Sequence, residues 1–439
     1  MECELVGNVE LHETGQEKFY REIMAFHNLY REIELNGILI DKERRKELRK
    51  KYKEQDDGNE KELEGLLEYK INVNSPKQIA HLLYNELKLP LRKDTGEETL
   101  QALIVNVIKD EKKKKILELI LRGRKIKKTI GTYLMAREDN DGRMRTHYNI
   151  VGTETGRTST SKFKPPDRPG VYGLPFQTLT KHGDVGVDLR SMFIPDTNYT
   201  FLEADLSQAE TRIVALLGRD EKALKAFEEG RDIHRLTASW IFGIAPEDIN
   251  EEQRYLGKKV RHAGERGMEK GRLSQLANIS QWKANQILTK FHSAAPNIEQ
   301  VYFREIREAL ERDNLILISA YGRRRQFFER WSEELWKEAY AQIPQADVTD
   351  HLKFALLRIR ARLKPPDFMI LQESHDSFLA QVKLELLDEA AGISKEELEK
   401  SIDFSGCSLP RGMLKISCEI KTGMNWEEMR LYEPKRVSV

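Results

Sequence analysis

Two strand-like stretches that lie far apart, with a long helical pattern between them, constrain the fold of this chain most. Residues 200–205 and 368–371 are rich in strand-forming apolar residues, which is typical of strands buried in a sheet. Residues 208–312 instead carry apolar positions at helical spacing. The chain therefore predicts a sheet that is interrupted by a large helical insertion. With the helical patterns that run up to residue 137, this indicates an α+β fold.

An aspartate stands at the end of each strand-like stretch, Asp205 in the segment 203–210 and Asp376 in the segment 372–377. If the two strands meet in one sheet, the two carboxylates converge. Such a pair can hold two Mg²⁺ ions about 3.5–4 Å apart, the arrangement that promotes in-line phosphoryl displacement. For either aspartate alone, a capping or turn role is the alternative. The residues between the two aspartates have to decide between a metal site and a capping or turn role.

Shorter patterns predict the elements around this insertion. Residues 315–330 indicate a hairpin or loop around Gly322, and a helix follows at about 332–363. Another helix is expected over 385–402, and a final strand at 414–418. The chain has 439 residues, enough for two to four compact units.

Net charge gives no bulk signal for a nucleic-acid partner, because it is only +1 although 33% of the residues are charged. One segment, 112–128, nevertheless holds nine Lys and Arg against Glu118 alone. A solvated helix face is one interpretation. A stripe that binds phosphates is the other, because neutralised phosphates release counterions.

Cysteine use and hydropathy suggest a location. Cys3, Cys407 and Cys418 form no CxxC pair, and the chain has neither a signal peptide nor an apolar run of membrane length. These features predict reduced thiols in a cytoplasmic protein without a membrane partner.

A second cationic pattern lies within the helical insertion. Arg254, Lys258, His262 and Arg266 recur at a spacing of four, so a helix places them along one face. Like charges in a row repel unless an anion sits opposite, and a polyphosphate fits, because Arg binds it with a planar fork and Lys as a point charge. An exposed basic face with acidic partners elsewhere is the alternative.

Taken in order along the chain, these segments resemble the motifs of family A DNA polymerases, and the resemblance extends from about residue 20 to the C-terminus. It rests on TGRTSTS (155–161), GLPFQ (173–177), DLSQAETR (205–212), DIHRLTA (232–238), RYLGK (254–258), YGRR (321–324), IPQ (343–345), HDS (375–377) and GMNW (423–426). The local sequence around Gly257 and His262 looks most like that of the phage branch of the family.

The resemblance implies a right-hand polymerase fold with an antiparallel-sheet palm, helical fingers and a helical thumb. Its expected division is an N-terminal segment leading into the palm (1–40), the thumb (41–140), the first part of the palm (141–215), the fingers (216–345) and the second part of the palm (346–439).

The family's chemistry assigns catalytic and metal-binding roles. Asp205, Asp376 and the backbone carbonyl of Leu206 are expected to hold two Mg²⁺ ions, for which Mn²⁺ can substitute. Mg²⁺ would lower the pKa of the primer 3′-hydroxyl and balance charge on the leaving pyrophosphate. Lys258 is expected to bind the triphosphate and to serve as the acid for the pyrophosphate, with Arg254 more peripheral.

Further nucleotide contacts are expected from Gln208, Glu210, His262 and Arg266. Glu210 corresponds to the residue that closes off the 2′ position, which favours dNTPs over rNTPs. For His262, an ordinary helix-surface histidine is the alternative.

The same resemblance predicts which residues contact the primer–template. Most of them would bind the DNA backbone or the minor groove, and such contacts give register rather than sequence specificity. His375 is expected at the primer terminus. The basic segment 112–128 is expected in the thumb. The predicted contact residues are Arg157, Thr158, Ser159, Gln177, Gln345, His375, Arg324, Lys125 and Lys128.

The chain departs from the family pattern at two positions. Arg266 stands where the family has Tyr, and Leu206 where it usually has an aromatic residue. A guanidinium can still stack, but it adds charge to the nucleotide pocket. We therefore predict relaxed fidelity, or altered sugar or template choice, from Arg266, and only a packing change from Leu206.

The predicted activity is template-directed DNA synthesis from dNTPs on primer–template DNA. No proofreading exonuclease constellation is recognisable, which predicts a polymerase without proofreading or a polymerase portion of a longer chain. Use of RNA templates and a non-catalytic nucleic-acid-binding relic are the alternatives. We expect a monomer in the cytoplasm of a bacterium or of a phage-infected cell. Its possible accessory partners are replisome proteins.

Overall fold

The computed structural model describes residues 17–164, 169–179, 183–277 and 279–434. Cys3 lies outside the described residues. The chain divides into two compact units. The first consists of the chain up to Ile40, Arg137–Gly267 and Phe291 onward, and the second consists of Asp41–Ala136 and Met268–Lys290.

Helices dominate both units. The α-helices are α1 (Glu17–Asn36), α2 (Lys42–Leu67), α3 (Pro76–Ala80), α4 (Glu97–Asn106), α5 (Glu111–Lys128), α6 (Asp184–Arg190), α7 (Ala209–Leu217), α8 (Glu221–Glu228), α9 (Ile233–Phe242), α10 (Glu251–Glu265), α11 (Lys270–Ala277), α12 (Gln281–Ala294), α13 (Arg304–Arg312), α14 (Glu333–Arg362) and α15 (Leu387–Leu398). Short π-helical segments span His81–Glu86, Thr129–Leu134 and Ile298–Phe303, and 3₁₀ turns span Phe176–Thr178, Pro246–Asp248 and Leu384–Leu386. None of the described helices is long and apolar enough to cross a membrane.

The strands are short except in one sheet. They are β1 (Ile38–Ile40), β2 (Arg143–Met144), β3 (His147–Asn149), β4 (Ser159–Ser161), β5 (Phe193–Ile194), β6 (Tyr199–Leu206), β7 (Ile316–Ile318), β8 (Arg324–Gln326), β9 (Phe368–Ser374), β10 (Ser377–Lys383), β11 (Ile402–Asp403), β12 (Met413–Leu414), β13 (Cys418–Gly423) and β14 (Arg430–Leu431).

The largest sheet has the order β14-β13-β6-β10-β9 and all its pairings are antiparallel. Helix α1 packs on β9, and α15 packs on β6 and β13. Burial of most of β6 and β10 explains their apolar runs, since a strand covered on both faces loses its polar alternation. The predicted interrupted sheet is therefore present, with α7 to α14 inserted between β6 and β9.

Local signals in the sequence set the start of the helix that carries the predicted nucleotide contacts. Asn250 caps α10, accepting from the backbone N–H of Gln253 at 2.9 Å, while the Gln253 side chain accepts from the backbone of Asn250 at 3.0 Å. This reciprocal capping box satisfies two helix-end donors. The adjoining helix α9 has a simple N-cap, in which Asp232 accepts from the backbone N–H groups of His234 and Arg235.

The second unit is built around the pair α2 and α5. Each begins at an aspartate: the backbone N–H of Arg44 bonds Asp41 at 2.9 Å, and that of Lys113 bonds Asp110 at 3.0 Å. Gly123 lies where a Cβ would approach the Asn59 amide to 2.9 Å, so a glycine permits the close approach of the two helices. A cluster of buried Leu, Ile and Val side chains fills the space between α2, α4 and α5.

The hairpin predicted around Gly322 is present as β7 and β8, and the predicted long helix is α14. The final strand predicted at 414–418 is wrong, because β12 ends at Leu414 and β13 begins at Cys418, so the residues between them are not in a strand. The pairing of β13 with β6 decides this register, and a short apolar alternation cannot specify it.

Candidate active site

Asp205 and Asp376 come together at one end of the central sheet. Asp205 is in β6 opposite Ser377 of β10, and Asp376 immediately precedes that serine. The backbone N–H of Leu206 donates to the backbone carbonyl of Asp376 at 2.9 Å. Both aspartates line a cavity of about 510 Å³, together with Leu206. The convergence of two carboxylates from strands far apart in sequence is confirmed.

The donor set at this end of the sheet suits a hard divalent cation. Mg²⁺ prefers oxygen ligands, keeps several waters and is usually held by one or two carboxylates plus substrate phosphates. In the described part of the chain no three His, Cys, Asp or Glu side chains form a ready metal-binding cluster. Two aspartates that line an open polar cavity, beside the backbone of Leu206, fit an ion that is completed by water and substrate.

The predicted cationic face of α10 faces the same cavity. Arg254, Lys258 and His262 all line it. Arg254 donates from Nε to Oδ2 of Asp232 at 2.5 Å, which holds this guanidinium at the cavity wall. Lys258 is exposed. Arg266 is the C-cap residue of α10, and its side chain bonds Glu210.

His262 adds a neutral imidazole to this row rather than a cation. Burial lowers the pKa of His262 to about 4, with Lys258 and Arg266 opposing its charge and Glu210 favouring it. Its ring lies 5.6 Å from that of His234, whose pKa burial lowers to about 3. Burial therefore favours the uncharged form of both rings.

Arg266 pairs with Glu210, the predicted sugar-selecting residue. Its Nη2 donates to Oε2 of Glu210 at 2.5 Å, and Arg157 donates to the other carboxylate oxygen, Oε1. Burial raises the pKa of Glu210, but Arg266 and Arg157 outweigh it and hold that pKa below its ordinary value. The carboxylate is therefore clamped, ionised, between two guanidinium groups.

A second set of side-chain hydrogen bonds joins α7 to the end of α10, next to the bond between Arg266 and Glu210. Thr211 donates to Oε2 of Glu265 at 3.0 Å, and Arg261 donates from Nε to Oε1 at 2.6 Å. Arg261 is completely buried, and its two terminal nitrogens have no hydrogen-bond partner among the described residues. The sequence analysis missed this pair, although the i, i+4 spacing of Arg261 and Glu265 was a signal for it.

Gln208 begins α7 in a left-handed backbone conformation, with φ of 55°. Its Oε1 is buried and has no hydrogen-bond partner in the described structure, and the residue lines the cavity beside Glu210. A buried amide oxygen without a partner costs free energy. It is consistent with the predicted nucleotide contact, since a hydroxyl or amine donor would satisfy it.

The predicted primer–template segment is held by buried charges that the sequence analysis did not identify. Lys353, itself buried, donates from Nζ to the carbonyl of Gly156 at 2.6 Å. Gly156 has φ of 79°, and a Cβ there would meet the Arg323 guanidinium at 2.3 Å. Arg323 in turn makes two hydrogen bonds to the buried Asp350, at 2.9 and 2.7 Å. This network fixes the loop that carries Arg157.

Glu373 is the buried centre of a second network. Thr158 donates to its Oε2 at 2.6 Å, and Tyr30 donates to the same oxygen at 3.2 Å. The Gln177 amide donates to the Thr158 hydroxyl at 2.7 Å. The side chain of Thr158 is almost fully buried, so in this structure its hydroxyl serves the network and does not face a DNA ligand.

His375 shares this network through its backbone, whose N–H donates to Oε1 of Glu373 at 2.5 Å. Its φ is 51°, and burial lowers the pKa of its imidazole. Three further predicted DNA contacts lie elsewhere in the first unit. Ser159 and Arg324 are exposed in β4 and β8, and Gln345 is partly buried in α14.

The basic segment 112–128 forms α5 in the second compact unit. Several of its cations are used internally. The partners are Leu87 for Lys113, Glu62 for Lys115, Val73 and Thr95 for Arg124, and Asp56 and Glu60 for Lys127. Lys125 and Lys128 are exposed and take part in none of the ion pairs between described residues. Only part of the predicted stripe is thus available to phosphates.

Comparison with known proteins decides the family. The sequence model for DNA polymerase family A matches residues 42–428. The chain belongs to DNA polymerase family A. Thermostable DNA polymerase I from Thermus caldophilus is 26% identical over 94% of the chain and 49% of that protein. DNA polymerase I from Caldicellulosiruptor bescii is 29% identical over 82% of the chain and 41% of that protein.

A third relative of this family A chain is DNA polymerase I of Lactococcus lactis, 26% identical over 96% of the chain and 47% of that protein. The chain thus spans less than half the length of each of these relatives. All three are bacterial, and they give no support to the predicted placement in the phage branch.

A solved structure supports the fold of this family A member. The POL domain of Pol1 from M. smegmatis, in complex with DNA primer-template and dNTP, matches with a TM-score of 0.73 and 22% sequence identity, over 90% of this chain and 68% of that one. The predicted right-hand polymerase fold is confirmed.

Proposed function

We propose that the chain is a template-directed DNA polymerase that adds dNTPs to a primer 3′-hydroxyl by two-metal nucleotidyl transfer. The observation that carries this proposal is the shared cavity of Asp205, Asp376, Arg254 and Lys258 in a member of family A. Two carboxylates beside two cationic side chains match a metal-bound triphosphate, which combines divalent ions with an excess of negative charge.

Each residue around the cavity has a role in this chemistry. Asp205, Asp376 and the Leu206 carbonyl would hold two Mg²⁺ ions, which when bound lower the pKa of the 3′-hydroxyl and neutralise charge on the phosphates; Mn²⁺ can substitute. Lys258 is exposed towards the cavity, so it can bind the triphosphate and give a proton to the pyrophosphate. Arg254, fixed by Asp232, would orient the phosphates.

The start of α7 and the end of α10, around Glu210, would select the sugar and the base. Glu210, Gln208 and His262 line the same cavity, and the Arg266 guanidinium is bonded to Glu210. We propose that Glu210 blocks the 2′ position and that Arg266, through this bond, changes fidelity, sugar choice or template choice without loss of catalysis.

We propose a DNA path from the resemblance, and the M. smegmatis neighbour, which was solved with primer-template and dNTP, supports it at the level of the fold. Arg157, Gln177, Gln345, Arg324, Ser159 and His375 would contact the primer–template, and Lys125 and Lys128 would contact phosphates from the second unit. The five domain boundaries, 1–40, 41–140, 141–215, 216–345 and 346–439, remain proposals.

Several finer points stay predictions from the sequence. These are the lack of a proofreading exonuclease, a monomeric state, accessory replisome proteins, a cytoplasmic location and the phage-branch affinity. Use of RNA templates also stays a prediction from the sequence.

Primer extension with Mg²⁺ tests the proposed function. The chain is expected to extend a DNA primer with dNTPs on a DNA template, and the same assay on an RNA template measures reverse transcription. Asp205→Ala should lower the rate by at least roughly a hundredfold, because one electrostatic group at the reacting centre is removed. The exposed Asp403 of β11 provides the matched control, and Asp403→Ala should extend normally.

Two results would contradict the proposal. Extension that survives Asp205→Ala would overturn the two-metal mechanism. No extension by the parent chain on either template, with DNA binding retained, would favour the non-catalytic binding protein.

A further inference from the structure

Arg157, which is predicted to contact the primer–template, has a protein partner in this structure. Its Nη2 donates to Oε1 of Glu210, the carboxylate expected to select the sugar. Only 22% of the Arg157 side chain and 17% of the Glu210 side chain are exposed, so salt screens the pair less than it screens a surface pair. A hydrogen bond between two ionised groups is also stronger than a neutral one. Arg157 can therefore fix the direction of the Glu210 carboxylate.

The loop that carries Arg157 is anchored on both sides of this residue. On one side, the buried Lys353 of α14 donates to the carbonyl of Gly156 at 2.6 Å. On the other side, Thr158 donates to the buried Glu373 of β9 at 2.6 Å. Strand β9 belongs to the same five-stranded sheet as β6. A support that is already fixed has little freedom to lose when it binds a partner, so it holds that partner in one place.

Arg266 holds the other oxygen of Glu210 from a different element. It is the C-cap residue of α10, and its Nη2 donates to Oε2 of Glu210 at 2.5 Å. Its side chain is more exposed than that of Arg157, at 36% against 22%. Two guanidinium groups thus attach one carboxylate to two separate elements. If one of these bonds is removed, the carboxylate is attached only to the element that carries the other.

The bond to Glu210 uses only part of the Arg157 guanidinium. Its Nε is buried and has no hydrogen-bond partner among the residues that the structure describes. A guanidinium carries five N–H donors in a fixed plane, so donors remain for the predicted primer–template contact. One side chain can therefore contact DNA and hold Glu210 at the same time.

We propose that Arg157 is a positioning residue for Glu210 and that sugar selection by this chain depends on it. This inference rests on the proposed polymerase function, in which Glu210 blocks the 2′ position. With Arg157 in place, the carboxylate is held from the anchored loop. Without Arg157, it keeps only Arg266 and is free to move with the end of α10, which opens room for a 2′-hydroxyl. Arg157 thus acts on the sugar through Glu210 and does not touch it.

The expected effect is a loss of selectivity between dNTP and rNTP. Selectivity is the ratio of the two kcat/KM values, measured by single-nucleotide incorporation with a dNTP and the rNTP of the same base. Primer–template is kept at a saturating concentration, which is set from its dissociation constant for each variant. Arg157→Ala should lower selectivity by about tenfold, the change expected for one hydrogen bond between charged groups. Arg157→Lys should lose less, because it keeps the charge without the planar fork.

A double-mutant cycle separates this role from DNA contact. Glu210→Ala should lower selectivity by itself. The double variant Arg157→Ala/Glu210→Ala should be no less selective than Glu210→Ala, because Arg157 acts on the sugar only through that carboxylate. Arg324, another predicted DNA contact, is exposed in β8 and provides the matched control. Arg324→Ala should change incorporation of the dNTP and the rNTP alike and leave their ratio unchanged.

The outcomes separate the positioning role from the proposed function. Equal losses of dNTP and rNTP incorporation in Arg157→Ala would overturn the positioning role and leave Arg157 a DNA contact only. Selectivity losses that add in the double variant would overturn it too. Urea unfolding of the same variants gives a readout that does not depend on catalysis, and there also additive losses would overturn the pair, whereas coupled losses are expected. Failure of the parent chain to extend any primer would instead overturn the proposed function itself.

Discussion

Arg266 and Glu210 form an ion pair of 2.5 Å between the end of α10 and the start of α7. Arg157 binds the remaining oxygen of the same carboxylate. The side chain expected to select the sugar is therefore bonded on one side to the end of α10 and on the other to the loop that carries Arg157.

Restoring the family's tyrosine tests what this ion pair does. Arg266→Tyr removes a charge from the nucleotide pocket and releases one oxygen of Glu210, so we expect misincorporation or rNTP use to fall by about tenfold, equivalent to about 1.4 kcal/mol. Single-nucleotide incorporation kinetics with correct, incorrect and ribose substrates measure the effect. Arg266→Lys is the control, because it keeps the charge without the planar fork. Identical selectivity of the tyrosine variant and the parent chain would refute the hypothesis.

The same pair predicts how stability depends on pH. The folded-state pKa of Glu210 lies below its ordinary value of 4.5, so its contribution to stability is complete above pH 4.5 and is lost as pH falls below it. Arg266→Ala should lower the unfolding free energy at pH 7 by about 1.5–3 kcal/mol, the range for a hydrogen bond to a charged group. This deficit should shrink below pH 4.5. Urea unfolding at pH 7, 5 and 4 measures it, and a deficit independent of pH would contradict the assignment.

The buried pair of Arg261 and Glu265 makes a distinct prediction about stability. Glu265→Ala removes the carboxylate that is hydrogen-bonded to the fully buried Arg261 and leaves it the more distant Asp220, at 3.8 Å, which should cost about 3 kcal/mol, the low end of the range for breaking a buried pair. The double variant Arg261→Met/Glu265→Leu removes both charges and should be more stable than Glu265→Ala. Urea unfolding of Arg261→Met, Glu265→Leu and the double variant forms a double-mutant cycle. Additive losses would show that the two side chains do not act as a pair.

The available cations of α5 predict the salt dependence of DNA binding. Lys125→Ala/Lys128→Ala should reduce the slope of log affinity against log salt concentration by about 2, because each neutralised phosphate contributes roughly 0.9. Lys115, which pairs with Glu62 at 2.9 Å, is the control, and Lys115→Ala should change the slope much less. Titrations of primer–template at several salt concentrations supply the slopes. Equal slopes for the double variant and the parent chain would show that these two lysines do not contact DNA phosphates.

Local and periodic features of the candidate site were predictable from sequence. The ends of two strands gave Asp205 and Asp376, and helical spacing gave the shared face of Arg254, Lys258 and His262. These depend on residue order and on the geometry of a single element. The charge state of His262 was not predictable, because burial by neighbouring elements lowers its pKa.

The networks under the site escaped prediction for a related reason. Thr158 and Glu373 are separated by 215 residues and meet only in the folded chain. Lys353 likewise reaches Gly156 across 197 residues. No spacing rule links such residues, since their contact depends on the packing of α14 and β9 against the loop that carries them. The internal use of several cations in α5 escaped prediction in the same way.

The sequence by itself determined the family, the interrupted antiparallel sheet and the residues that carry charge in the cavity, because motif order, strand composition and helical periodicity are local properties. Only the tertiary structure decided which of those charges are paired. It placed Arg266 on Glu210 beside Arg157, and it buried Arg261 with Glu265. Pairing depends on distance and desolvation, and both are fixed only when remote segments pack together.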